Sequence, residues 1–153
     1  MKTGADGIAL SGDKKTLYWT NLTGNRVLSL PTALIRDFGK SEEDVKKAVK
    51  VEATLPSNTD GMTADRNNNL YMTALTLNGL MKRDAKTGEV STFVTSDEIS
   101  WPETLASGPG GTLYLVSNHL HLWVDGDMDF DNPKVPNFRI YRMKLGTRPY
   151  TAR

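Results

Sequence analysis

The stretch TDGMTADRNNNLYMTALTLNGLMKRDAKTGEVSTF, residues 59–93, holds four short apolar runs separated by turn residues, with Asp60 at its head. The runs fall near 61–65, 69–74, 78–83 and 89–95, and the breaks between them read DRNNN, LN and DAKTGE. Asn, Asp and Gly suit such breaks because they tolerate positive φ or bond their own backbone, which is what tight antiparallel turns require. The spacing therefore predicts one four-stranded meander. A lone meander cannot bury both of its faces, so the rest of the chain has to supply neighbours.

It does so by repetition. ADGIALSGDKKTLYWTN from Ala5 and PETLASGPGGTLYLVSN from Pro102 align with TDGMTADRNNNLYMTAL from Thr59. Each has an acid, a short apolar strand, a turn, and a Leu-Tyr pair opening a second strand. The tyrosines of those pairs, Tyr18, Tyr71 and Tyr114, lie 53 and 43 residues apart, a spacing that fits propeller blades. The first repeat has further strand signals near 7–11, 16–21 and 25–30, and the third near 103–107, 112–118 and 137–143. Ala9, Ala64 and Ala106 sit in the innermost strands, where blades crowd toward an axis. The expected fold is all-β, a β-propeller segment of about three four-stranded blades with one short helix. The blades span about 5–55 and 56–98, with an incomplete one over about 99–145 and a tail at 146–153. Rings close with more blades than three, so a second copy of the chain or missing N-terminal blades must complete this one.

Two insertions interrupt the repeats. In SEEDVKKAVK, Ser41 and Asp44 have the spacing of a capping box, and Glu42–Lys46 and Glu43–Lys47 are i,i+4 pairs. Val45, Ala48 and Val49 form one stripe, so a short amphipathic helix is expected there. HLHLWVDGDMDFDNPKVPN, with two prolines and Asp125, Asp127, Asp129 and Asp131, reads as a long solvated loop. His119 and His121 are spaced to share a strand face but lack the further partners a zinc site needs.

Composition excludes several classes. A net charge of +1, with acids and bases mixed along the chain, gives no electrostatic footprint for nucleic acid. The absence of cysteine removes disulfides, thiolate metal sites and cysteine nucleophiles. No apolar run approaches the roughly 20 residues of a membrane helix, and Met1–Gly12 lacks the layout of a signal peptide. There is no Gly-x-Ser-x-Gly elbow, and the GPGG run at 108–111 reads as a hairpin turn and not as a phosphate loop.

At ADGIALSGDKKTLYWTN, PSNTDGMTAD, ISWPETLASGPGGTLYLVSNHLH and NFRIYRMKL the chain resembles the C-terminal half of the Yellow/major royal jelly protein family, particularly microbial members related to dopachrome tautomerase. That resemblance implies a six-bladed propeller, export from the cytoplasm to a secreted or periplasmic location, and a ligand pocket at one mouth of the central channel. Some members look like pigment-pathway enzymes and others bind small amines. A more distant similarity is to the gluconolactonase/regucalcin family. There the aspartate matching Asp60 is a divalent-metal ligand and a proposed base, whereas the Asn-Gly of the preceding blade is replaced here by Asp6-Gly7.

Asp6, Asp60 and Glu103 head successive inner strands, so ring geometry directs them to one mouth. Carboxylates crowded there repel unless a cation or protons relieve them, and hard oxygen ligands point to Ca²⁺ or Mg²⁺. Each acid equally suits a strand cap. Asn58 and Asn118 are placed either as amide contacts for a small-molecule ligand or as turn-satisfying side chains, and Trp101 is placed either to stack on a ligand or to pack between blades. Asp60 is the expected metal ligand or general base. Metal-assisted hydrolysis, tautomerisation, non-catalytic binding of an aromatic amine, and inactivity of this chain alone stay open.

Overall fold

A computed structural model describes residues 3–134 and 136–146. Three antiparallel sheets follow one another along the chain. The first contains β1 (Ala5–Leu10), β2 (Thr16–Asn21), β3 (Arg26–Pro31) and β4 (Lys50–Thr54), in that order. The second contains β5 (Met62–Ala64), β6 (Leu70–Ala74), β7 (Gly79–Arg83) and β8 (Val90–Thr95). The third has β9 (Pro102–Gly108), β10 (Thr112–Ser117) and β11 (Arg139–Lys144), with β10 in the middle. Each sheet is a meander, and the repeated Leu-Tyr pairs open its second strand, as the alignment of repeats requires. Of the tail expected at 146–153, only Gly146 is among the described residues.

The helical content departs from expectation. Three short α-helices are present among the described residues, not one: α1 (Thr32–Arg36), α2 (Glu42–Ala48) and α3 (Leu120–Asp125). The expected helix is α2, and its capping box is complete: the Ser41 hydroxyl accepts the Asp44 N–H, and the Asp44 carboxylate accepts the Ser41 N–H. Its two i,i+4 ion pairs are formed, Lys46–Glu42 at 2.8 Å and Lys47–Glu43 at 3.5 Å. The helix stops before Val49 because Lys50–Thr54 pairs with β3 as the fourth strand of the first sheet. α3 lies in the segment read as loop, and Gly126 ends it in a left-handed conformation.

Between the sheets lie two apolar layers. Tyr18, Val27 and Leu55 of the first repeat meet Met62, Met72 and Met81 of the second. Tyr71 and Leu80, from the opposite face of the second sheet, meet Leu113 and Leu115 of the third. The middle sheet is thus covered on both sides, and all five residues of β6 are buried. Charge joins the first pair of sheets as well. Arg83 donates to Glu52 across the interface at 2.9 Å, and the Ser29 hydroxyl donates to the other Glu52 oxygen at 2.7 Å. The outer faces are a different matter. Ile8 and Val51 on the first sheet are 60% and 56% exposed, and Ile140 on the third is 75% exposed, so each end of the stack presents apolar surface that a further blade would cover.

The inner strands approach each other backbone to backbone. A Cβ on Gly7 would sit 2.5 Å from the Asp60 carbonyl oxygen, and one on Gly61 would collide with the Glu103 carbonyl oxygen. Backbone atoms cannot retreat as a side-chain tip can. Gly61→Ala should therefore destabilise the fold by about 3 kcal/mol, whereas Gly4→Ala, where no atom lies within 4 Å, should stay within about 0.5 kcal/mol. Urea unfolding followed by circular dichroism measures both.

Candidate functional site

The inner strands β1, β5 and β9 begin at one end of the stack, and the three acids sit at or beside those beginnings. Asp6 is exposed, while Asp60 and Glu103 are half-buried. Asp60 is held from behind by Thr73, whose hydroxyl oxygen accepts the N–H groups of Asp60 at 2.9 Å and Gly61 at 3.1 Å. Thr59 shares a hydrogen bond with the same hydroxyl at 3.2 Å, and both threonines are fully buried. This cage fixes the peptide that carries the carboxyl. The carboxyl itself makes one hydrogen bond among the described residues, accepting the Trp101 indole N–H at 3.3 Å.

Burial, and then the charges of Asp6 and Glu103, push the Asp60 carboxyl up from 3.8 to about 6, with the Trp101 indole pulling weakly the other way. The charges of both neighbouring acids therefore bear on Asp60. Glu103 is steadied by Asn118, whose amide donates at 2.7 Å. Asn118 in turn accepts the Leu120 N–H at 3.1 Å, at the start of α3, so its amide is already committed within the chain. Asn58 is committed too, donating to the Leu22 carbonyl at 2.9 Å and tying the second repeat to the first.

Trp101 has a left-handed backbone, φ +47°, and its carbonyl accepts the Asn118 N–H at 3.3 Å. Its ring is near-parallel to His121, with centroids 6.0 Å apart, and His121 is near-parallel to His119 at 6.2 Å. The histidines therefore do not share a strand face. His119 turns left-handed, φ +53°, and starts α3, which carries His121. His119 is buried, its Nε2 has no partner among the described residues, and burial, followed by the charges of His121 and Arg139, lowers its pKa. Asp125, Asp127, Asp129 and Asp131 are exposed, and Asp129 accepts the N–H groups of Asp131 and Asn132 in a local turn.

Among the described residues no three His, Asp or Glu side chains come together as a metal-ligand set. The three acids of this chain by themselves thus do not fit the Ca²⁺ or Mg²⁺ expected from them. Two residues at the mouth were missed in the sequence. Thr73 follows Leu-Tyr-Met as Thr20 follows Leu-Tyr-Trp, so its repeat position was the available signal. His121 was read only as half of a metal pair.

The profile of the Major royal jelly protein family matches residues 1–149. The chain belongs to that family. Comparison with curated proteins finds no match. Among solved structures, a gluconolactonase from Xanthomonas campestris is similar at TM-score 0.66 and 20% identity, over 97% of this chain and 46% of that one. A luciferin-regenerating enzyme is similar at TM-score 0.63 and 20% identity, over 94% and 46%. A streptogramin B lyase is similar at TM-score 0.58 and 18% identity, over 96% and 42%. These likenesses establish the propeller fold. This royal jelly family chain spans less than half the length of each of these three structures, which agrees with its two uncovered sheet faces and a need for more blades.

The Asp60 shift has a consequence for stability. A carboxyl whose folded pKa lies above its unfolded value binds its proton more tightly when folded, so its contribution is complete below pH 3.8 and is lost as pH rises through about 6. Asp60→Asn, which keeps an acceptor for the indole, should raise stability at pH 8 by about 1 kcal/mol after discounting for solvent screening, and leave it unchanged near pH 4. Thermal unfolding across pH reads the difference.

Proposed function

We propose that the mouth formed by the starts of β1, β5 and β9 binds a small organic molecule and that Asp60 exchanges a proton with it. One observation supports this above the rest: a half-buried carboxyl, raised to about 6 and held by a single indole N–H, sits on a peptide fixed by the buried hydroxyl of Thr73. A base of that pKa is charged at neutral pH yet basic enough to take a proton from an activated C–H or O–H. Returning the proton to another atom of the same molecule is a tautomerisation, which balances without a cofactor. The family membership is in keeping with that reaction class, and the likeness to a gluconolactonase keeps hydrolysis as the neighbouring class.

The second reading is non-catalytic capture of a cationic aromatic amine, favoured by three acids around one mouth with Trp101 beside them. The two differ in the role of Asp60. As a base, its loss abolishes turnover and spares binding; as a counter-ion, its loss weakens binding itself. Conversion of dopachrome, followed by its visible absorbance, should rise with pH through about 6 and vanish in Asp60→Asn. Tyramine titrated by calorimetry should bind wild type and the variant within about threefold; loss of about tenfold or more in the variant, without turnover in wild type, establishes the counter-ion reading.

Ring completion enters here as well. A second copy would bring its Asp6 carbonyl against Thr104, which stands where the two interfaces within the chain have Gly7 and Gly61. We infer that different blades cover the third sheet. Ca²⁺ at about 1 mM should leave the melting temperature of this chain unchanged. A rise that Asp60→Asn removes would instead establish the three-acid site, and light scattering at twice the chain mass would establish the copy.

A further inference from the structure

Beside the acid cluster, and separated from it by Trp101, lies a cleft of about 290 Å³ lined by Leu75, Thr76, Asn78, Ser100, Trp101 and His121. Three features mark it. The first is backbone strain. Of the five non-glycine residues with positive φ among the described residues, Asn68, Asn78 and Lys14 occupy turns, but Trp101 and His119 are ring-bearing residues for which that conformation is costly. Such strain persists where surrounding contacts over-determine it, and it gathers at ligand sites. Here it accompanies the stacking of Trp101 on His121, which form one wall, with His119 stacked on His121.

The second is a set of uncommitted polar groups. The amides expected to meet a ligand, Asn58 and Asn118, are spent on Leu22 and Glu103. By contrast, neither the Asn78 amide nor either His121 ring nitrogen makes a hydrogen bond among the described residues, although both residues are half-buried and line the same cleft. Half-buried donors and acceptors without partners are the groups a ligand can satisfy. The third feature is charge. No carboxylate, lysine or arginine lines the cleft, so it favours a neutral occupant.

We propose that this cleft is a subsite for a neutral planar ring carrying hydroxyl or carbonyl groups, with the ring against the Trp101–His121 wall and its polar substituents on Asn78 and His121. The proposal rests on the ligand-binding reading of the mouth and deepens it. The ring is held outside Trp101, and the proton-exchanging end of the same molecule reaches past the indole to Asp60.

Phenol is the probe, titrated into the full chain and followed by nitrogen-edited NMR. Saturable shifts are expected at the Asn78 side-chain amide and the Trp101 indole N–H. Cyclohexanol, similar in size but not planar, should bind at least about threefold more weakly. Asn78→Gly keeps the left-handed turn while removing the amide, and His121→Phe keeps the stack while removing the nitrogens. Each should weaken phenol about three- to tenfold, the range for one lost hydrogen bond, with the remaining amide spectrum unchanged. Absence of saturation at Asn78, or equal affinity in wild type and both variants, overturns the subsite. The Asp60 carboxyl carbon is titrated in the same samples. If phenol saturates while Asp60 shows no step near pH 6, the proton-exchange reading fails and the subsite stands; if phenol does not saturate, the subsite falls whichever way Asp60 titrates.

Discussion

The close approach of one inner strand to the next is the constraint on which the rest of the molecule depends. Gly7 lies against the carbonyl of Asp60, and Gly61 against that of Glu103, so each acid is placed by the glycine that follows the acid before it. Remove the approach and the sheets lose their inner contact, but the acids also lose their common location. The same backbone geometry that packs two apolar layers thus brings the charges of Asp6 and Glu103 to bear on Asp60. Stability and chemistry pull in opposite directions here. Packing favours close blades, close blades put like charges near a half-buried carboxyl, and that carboxyl takes up a proton more readily in response.

Covering of the outer faces follows the same logic. The middle sheet shows what a blade needs: β6 is buried throughout, because it has a neighbour on each side. Ile8, Val51 and Ile140 show what the outer sheets lack. Covering those faces would also change the mouth. A neighbour beside β1 would bury Asp6, now exposed, and any further acid at the start of a new inner strand would add repulsion. Completion of the ring therefore changes the surroundings of Asp60 as well as covering the outer sheets.

Much of this was legible in the residues, and the failures have physical causes. The repeated acid, turn and Leu-Tyr pair located all three sheets because each mark serves a local need that recurs in every blade. The Ser41–Asp44 box was readable for the same reason: cap and partner lie within one turn. The strand Lys50–Thr54 was hidden because Val49 and Val51 continue the apolar pattern of the helix before it, and only pairing with β3 separates them. HLHLWV alternates like a strand, which misplaced His119 and His121; the left-handed turn at His119, a buried residue, begins α3 and has no local signature. Asn58 and Asn118 suited either a ligand contact or a turn, and both are bonded within the chain, Asn118 in the turn to Leu120 and Asn58 on the Leu22 carbonyl. Which amide remains free is a tertiary fact.

Trp101 joins these separate threads. Its unfavourable backbone conformation is offset by three contacts: the indole N–H on Asp60, the carbonyl on the Asn118 N–H, and the ring on His121. Asn118 also holds Glu103, and His121 also lines the cleft, so the acid cluster and the cleft share one strained residue as their common wall. The indole N–H bonds more strongly to a carboxylate than to a neutral carboxyl, because a charged acceptor roughly doubles the strength of such a bond. Ionisation of Asp60 therefore tightens the hold on Trp101, and with it the wall against His121. Protonation loosens both. A ligand that pressed on the wall would be felt at the carboxyl through that one hydrogen bond, and by the reciprocity of linkage the proton on Asp60 would be felt in the cleft.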